Sequence, residues 1–177
     1  HIPSNFYLNN IKNINKKKIP LKTYVCKNCW LVQIKDFIKG NKLFLKDYAY
    51  LSGVSKTWQE HCNNFTEYCV KNFKLKNNDK IIEIASNDGT LLNYFKKRKF
   101  DVLGIEPTPS TAKIAKKKGI KTNIQFFGYA HSKILKKKYG NFKLIVANNV
   151  LAHVDNINDF LKGISNLANN ETIISVE

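Results

Sequence analysis

From Lys80 to Glu177, short apolar runs recur at even intervals, separated by stretches whose apolar positions fall three and four residues apart. The runs at 80–86, 101–107, 121–127, 143–149 and 172–177 have the length and the Ile, Val and Leu content of buried strands. The stretches between them, at 89–98, 110–118, 129–138 and 156–168, carry the helical period. Strands that are apolar on both faces and alternate with helices imply a parallel sheet covered on both sides, with right-handed crossovers. The predicted class is α/β and Rossmann-like, with a sheet truncated after about five strands. In such a sheet, ligands sit beyond the C-terminal ends of the strands.

A different pattern precedes the sheet. Trp58, Cys62, Phe65, Cys69 and Phe73 form one apolar stripe of an amphipathic helix, and Ser55 stands where an N-cap is needed. Residues 1–54 are irregular, with Pro3, Pro20, a strand-like "TYVCKNCWLVQI" at 23–34 and the aromatic stretch "FLKDYAYLSGVSKTW". That stretch either folds over a ligand cleft or simply packs. The expected organisation is a small irregular module at 1–54, a connecting helix and linker at 55–78, and the sheet domain at 79–177. The chain has no Met, and "ETIISVE" reads as a strand with no turn after it. Both ends are therefore expected to be cuts within a longer protein.

Composition changes this picture little. With 43% hydrophobic residues in 177, a packed core is expected, while the lack of an 18-residue apolar run argues against a membrane-spanning helix. The net charge of +17 would suggest nucleic acid, but only Arg98 of the 30 basic residues is arginine, the residue that clamps phosphate and reads bases. The lysine runs at 16–18, 116–118 and 136–138 read as solvated surface, so a nucleic-acid partner is not favoured. Cys62 and Cys69 lie roughly 10 Å apart along a helix, too far for a disulfide, and read as small buried hydrophobes. A reducing cytoplasm is the expected setting.

The candidate chemistry collects at strand ends. "EIASNDGT" places Glu83 inside the first strand, followed by a turn in which Asn87, Asp88 and Gly89 tolerate left-handed backbone. An acidic Asp88 would repel a pyrophosphate, whereas it suits the amino group or sulfonium of S-adenosylmethionine; an ordinary strand–turn–helix is the alternative. Glu106 ends the second strand, 23 residues beyond Glu83, where a carboxylate typically holds ribose hydroxyls. Phe126 or Phe127 could stack on adenine or fill the core. Asn148 and Asn149 end a buried strand, where paired amides make poor core and good ligand contacts. His153, one turn further on, is a candidate base or substrate hydrogen-bonder. Cys26 and Cys29 have the spacing with which two thiolates reach one Zn²⁺. They read as half of a structural site whose other ligands lie upstream of His1. Completion by His61 or Cys62, or a redox pair, is the alternative.

Read together, "CKNCWLVQ", "YAYLSGVSKTWQEH", "EIASNDGTLL", "GIEP", "GIKT" and "ANNVLAHV" resemble, in order and over essentially the whole chain, the sugar C-methyltransferases with an N-terminal zinc-binding domain. The resemblance implies a class I methyltransferase fold binding S-adenosylmethionine and acting on a nucleotide-linked 4-keto deoxysugar. By that likeness Glu83, Ala85, Ser86, Asn87, Asp88 and Gly89 would hold the methionine end. Glu106 would hold the ribose, with Pro107 beside it, and Phe127 would lie near adenine. Asn148 and Asn149 would line the cleft, while Tyr48 and His153 would face the sugar. The implied reaction is proton abstraction beside the ketone, then attack of the enolate on the sulfonium methyl. Trp30 stands where the family usually has glycine, and further catalytic groups of the family would follow Glu177. Two other readings are a methyltransferase of another small molecule or of RNA, and a non-catalytic, zinc-containing nucleic-acid-binding module.

Overall fold

The computed structural model describes residues 22–34, Gly40, Phe44 and 48–177. The expectations placed on Pro3, Pro20 and the lysines at 16–18 lie outside these residues. Thr23–Val25 (β1) and Val32–Ile34 (β2) form an antiparallel hairpin. After a 3-10 turn at Ser52–Val54, the chain runs through α1 (Lys56–Asn72), β3 (Lys80–Ile84), α2 (Thr90–Lys97) and β4 (Asp101–Ile105). It continues through α3 (Pro109–Lys117), β5 (Lys121–Asn123), α4 (Tyr129–Tyr139) and β6 (Leu144–Ala147). A 3-10 turn at Leu151–His153, α5 (Ile157–Leu167) and β7 (Ile173–Val176) follow.

The five later strands form one parallel sheet in the order β5-β4-β3-β6-β7. The chain winds outward from β3 to β5, then crosses back to lay β6 on the other side of β3. That reversal opens a crevice at the C-terminal ends of β3 and β6, the switch point where such sheets hold ligands.

Strand alternation decides which core each residue joins. Ile81, Val102, Leu144 and Val146 face α1 and α2, packing with Cys62, Cys69, Leu91, Leu92 and Phe95. Ile82, Ile84, Leu103, Ile105 and Ile145 face the opposite way, against Leu135, Phe160, Ile164 and Leu167 of α4 and α5. Burying each such side chain contributes about 1.5–3 kcal/mol, which makes the double-sided sheet the main source of stability. The expected stripe of α1 is therefore its packing face, and Ser55 Oγ accepts the N-cap bond from the Trp58 N–H at 3.2 Å. The residues expected as a connecting helix thus join the core of the sheet.

The strands stop earlier than their apolar runs. β3 ends at Ile84 because Ala85 takes a left-handed backbone (φ 60°) that no strand continues. The largest correction falls on 121–127: β5 covers only Lys121–Asn123, and Ile124 and Phe126 leave the sheet to become exposed. Among the described residues, no helix is long and apolar enough to cross a membrane.

Candidate functional site

Left-handed backbone marks the C-terminal edge of the sheet. Among the described residues, seven non-glycine residues have positive φ, and three of them, Ala85, Asn87 and Asn149, sit at the tips of β3 and β6. Such conformations are disfavoured for residues with a Cβ and persist where surrounding contacts hold them, commonly at ligand sites. They border a cavity of about 730 Å³, within the size range of small-molecule sites. Glu83, Ala85, Ser86, Asn87, Glu106 and Pro107, from the ends of β3 and β4, line it. Tyr48, Tyr50 and Trp58 give it an aromatic wall, and Phe127, Asn156, Asp159 and Phe160 also border it. Asn148, Asn149 and His153, beyond β6, complete the lining.

The electrostatics of this cavity oppose those of the surface. Four acidic side chains line it (Glu83, Glu106, Asp155 and Asp159), and among the described residues no lysine or arginine does, in a chain of net charge +17. Burial holds the Glu83 carboxyl well above the usual carboxylate range, and the charges of Asp88 and Glu106 push it further. Glu83 Oε2 has no hydrogen-bond partner. Burial also raises Glu106, against the pull of the Thr108 and Asn87 N–H groups, which donate to its two oxygens at 2.8 and 2.9 Å. Each of those oxygens keeps a lone pair for a further donor. Burial raises the Tyr48 hydroxyl and lowers His153. At neutral pH the phenol is therefore a donor and the imidazole an uncharged acceptor. Tyr48 and His153 both border Phe44, with ring centroids 5.5 and 6.2 Å away.

The expected site residues Tyr48, Glu83, Ala85, Ser86, Asn87, Glu106, Pro107, Phe127, Asn148, Asn149 and His153 all meet at this cavity. Asp88 and Gly89 are not among the residues that border it. Asp88 is 3% exposed and turned away from the cleft. Oδ1 accepts from the Ser52 and Thr90 hydroxyls, each at 2.7 Å, and Oδ2 faces Lys118 Nζ at 3.1 Å. Burial would raise its carboxyl, but hydrogen bonds from Thr90, Ser52 and Lys118 outweigh that and hold it below its ordinary value. Gly89 has φ 73°, and a Cβ there would lie 3.1 Å from Ala115 Cβ and 3.2 Å from Ile120 Cγ1. The absence of a Cβ here lets α3 pack closely against the turn.

Sequence reasoning missed Asp155, Asn156, Asp159 and Trp58. The polar cluster "DNIND" after His153 was a usable signal, since Asn156 caps α5 by accepting from the Asp159 N–H at 3.0 Å. Asp155 accepts from the Gly40 N–H, at 3.1 Å to the nearer oxygen. Trp58 lay hidden inside the helical stripe.

The cysteine pair lies on the β1–β2 hairpin. Cys26 N–H donates to the Leu31 carbonyl at 2.9 Å, and Trp30 N–H donates to the Cys26 carbonyl at 3.0 Å. Trp30 completes this tight turn with φ 60°, where a glycine would be unstrained. The N–H groups of Cys29 and Asn28 hold the Cys26 thiol below its ordinary value. Among the described residues, no group of three metal-ligating side chains is present. Completion by Cys62 or His61 is corrected: Cys62 is fully buried in the core, its thiol pushed up to about 12 by burial first, and His61 stacks on Trp58 at 4.9 Å.

The pattern of a protein family described as methyltransferase domain matches residues 56–177. The C-methyltransferase NovU of Streptomyces niveus is 27% identical over 158 residues, which are 89% of this chain and 37% of that protein. The chain thus spans little more than a third of this curated relative. Among solved structures, the plantazolicin methyltransferase BpumL, in complex with a triazolic desmethylPZN analogue and SAH, superposes with a TM-score of 0.56 at 18% identity. That match covers 71% of this chain and 48% of BpumL. A putative S-adenosyl-L-methionine-dependent methyltransferase of Methanococcus maripaludis gives 0.54 at 16% identity, over 71% of this chain and 59% of its own. These two likenesses show the Rossmann-like class I methyltransferase fold.

Proposed function

Because the chain belongs to the methyltransferase domain family, we propose that it serves S-adenosylmethionine-dependent methyl transfer to the carbon beside the ketone of a nucleotide-linked 4-keto deoxysugar. One observation carries the methyl-donor half of this reading: an acidic cleft without a lysine or arginine among its described lining, in a strongly basic protein. A cationic sulfonium and ammonium suit such a cleft, and a polyphosphate or RNA backbone does not. The sugar-acceptor half is supported by the likeness to a C-methyltransferase and by the aromatic wall of Tyr48, Tyr50 and Trp58. The acceptor's diphosphate would stay outside the cleft.

The residues present fit such a donor. Glu106 has free lone pairs for ribose hydroxyls, Phe127 offers a ring face for adenine, and Glu83 has an unpartnered oxygen on the donor side. S-adenosylmethionine, when bound, supplies an electrophilic methyl group whose C–S bond breaks as the new C–C bond forms. The chain's own groups do the rest. His153, held neutral by burial, takes the proton from the acceptor carbon. The Tyr48 hydroxyl, held protonated, donates to the oxygen on which charge develops. Asn148 and Asn149, which line the cleft, contact the donor with their amides.

Residues 1–54 are proposed as a zinc-binding, substrate-side module in which Cys26 and Cys29 supply half of a structural site; the Cys26 turn, with its N–H groups aimed at sulfur, supports this. Two buried free thiols, Cys62 and Cys69, favour a reducing cytoplasm.

The test uses the full-length polypeptide: calorimetry with S-adenosylmethionine, then methyl transfer to a 4-keto deoxysugar nucleotide beside RNA, and metal analysis. Absence of donor binding would sink the methyl-transfer reading. Binding with transfer to RNA alone would remove the sugar, and a metal-free polypeptide would remove the zinc.

A further inference from the structure

The turn after β3 is tied more closely to the segment ahead of α1 than to anything in the cleft. Asn87 Oδ1 accepts from the Ser52 N–H at 3.0 Å, and its Nδ2 donates to the Tyr50 carbonyl at 3.1 Å. Asp88 accepts from the Ser52 hydroxyl at 2.7 Å and from the Gly53 N–H at 3.2 Å. Gly53 comes so near that a Cβ on it would stand 2.6 Å from both Asp88 Oδ2 and Thr90 Oγ1. From behind, Gln59 Nε2 donates to the Gly53 carbonyl at 2.7 Å. The segment so fastened carries the aromatic wall: Tyr48 and Tyr50 line the cleft, with ring centroids 6.4 Å apart. Asn87 also reaches the other half of the site, because its backbone N–H donates to Glu106.

We propose that Asn87 and Asp88 are positioning residues for the methyl acceptor: as a clasp, they fix Tyr50–Gly53 to the tip of β3 and thereby place the aromatic wall over the cleft. This rests on the methyl-transfer reading, and it reassigns Asp88 from the donor to the acceptor side. Both oxygens of Asp88 are already taken by donors, and the residue is buried outside the cavity. A donor ammonium would have to displace contacts that are already charge-assisted.

Three variants of the full-length polypeptide test the clasp. Asn87→Gly removes the side-chain bonds while accepting the φ of 49° without strain. Gly53→Ala drives a methyl group between the two halves, 2.6 Å from both Asp88 Oδ2 and Thr90 Oγ1, at a residue outside the cavity lining. Asp88→Asn keeps the shape but opposes an amide to Lys118 and Gly53. Amide hydrogen exchange across residues 48–54, the dissociation constant for S-adenosylhomocysteine, and KM and kcat with a 4-keto deoxysugar nucleotide are then compared with the unaltered protein.

In Asn87→Gly and Gly53→Ala, exchange in this segment is expected to accelerate about 10-fold or more, with acceptor KM rising about 10-fold; in Gly53→Ala, whose altered residue lies outside the cavity lining, S-adenosylhomocysteine affinity should move less than about 3-fold. The double variant should be no worse than the more severe single one, because one clasp opens only once. Unchanged exchange in either variant, or donor affinity in Gly53→Ala that falls as much as acceptor KM rises, overturns the proposal. Failure of the unaltered protein to bind S-adenosylhomocysteine is a separate result: it removes the methyl-donor reading and leaves the exchange data to judge the clasp.

Discussion

Replacing Glu83 by glutamine isolates one buried proton. Glu83 pairs in register with Gly104 and Val146, is 6% exposed, and has an Oε2 that bonds to nothing. Burial and the neighbouring carboxylates of Asp88 and Glu106 raise its carboxyl well above the ordinary value. The folded protein thus keeps a proton that the unfolded chain gives up near the usual carboxylate range, about pH 4.3. Wherever the folded state binds more protons, stability falls as pH rises, by about 1.4 kcal/mol per pH unit for one proton. The loss begins above the unfolded value and ends once pH passes the folded one. Glu83→Gln keeps the shape and carries no titrating proton, so it escapes this loss.

The variant should match the parent near pH 4 and become progressively more stable above it. For a chain of this size, about 1.4 kcal/mol corresponds to roughly 3–5 °C in Tm per pH unit. Thermal unfolding of both proteins from pH 4 to 8 measures the gap, and the other titrating groups cancel in the difference. A gap that stays constant over that range refutes the argument. The same proton should govern the donor: a cation beside Glu83 favours its ionised form, so binding should tighten with pH in the parent and not in the variant.

Gly89→Ala should lower stability by about 2–3 kcal/mol, from about 1–2 for left-handed backbone and about 1 for the squeeze against Ala115 and Ile120. Circular dichroism should show Tm lower by about 5–10 °C, and an unchanged Tm would place the glycine's role elsewhere. If His153 is the base, kcat/KM should rise with pH through a value below the ordinary histidine value of about 6.5, because burial lowers its imidazole. His153→Gln should abolish that limb along with most of the rate; an unaltered acid limb in the variant assigns the base to another group.

The parts that could be read ahead of the structure depend on local period. Ile81 to Ile84 are apolar on both faces, so they belong to a strand buried on both sides, and the stripe from Trp58 to Phe73 can only be a helix face. Glu106 and Asn148 follow strands directly, so their place at the sheet edge follows from the strand alone. Beyond a strand's end that reasoning fails. Ala85, Asn87 and Gly89 have φ of 60°, 49° and 73°, and each such reversal redirects the next side chain. Asp88 consequently points at Ser52 and Lys118, although its sequence position suggested the cleft.

The sequence by itself determined the α/β class, the parallel sheet, the capped helix ahead of it and the edge on which the site lies. These follow from side-chain periods of two and 3.6 residues and from the chirality of crossovers. Only the tertiary structure decided which of the polar residues in the turn face the cleft, and that Tyr48, Tyr50 and Trp58 share it with Asn149 and Asp159. Those contacts join residues about a hundred positions apart, and no local period encodes them. They arise from burying both faces of the sheet and from hydrogen-bonding the segment at 50–53 to the turn it covers.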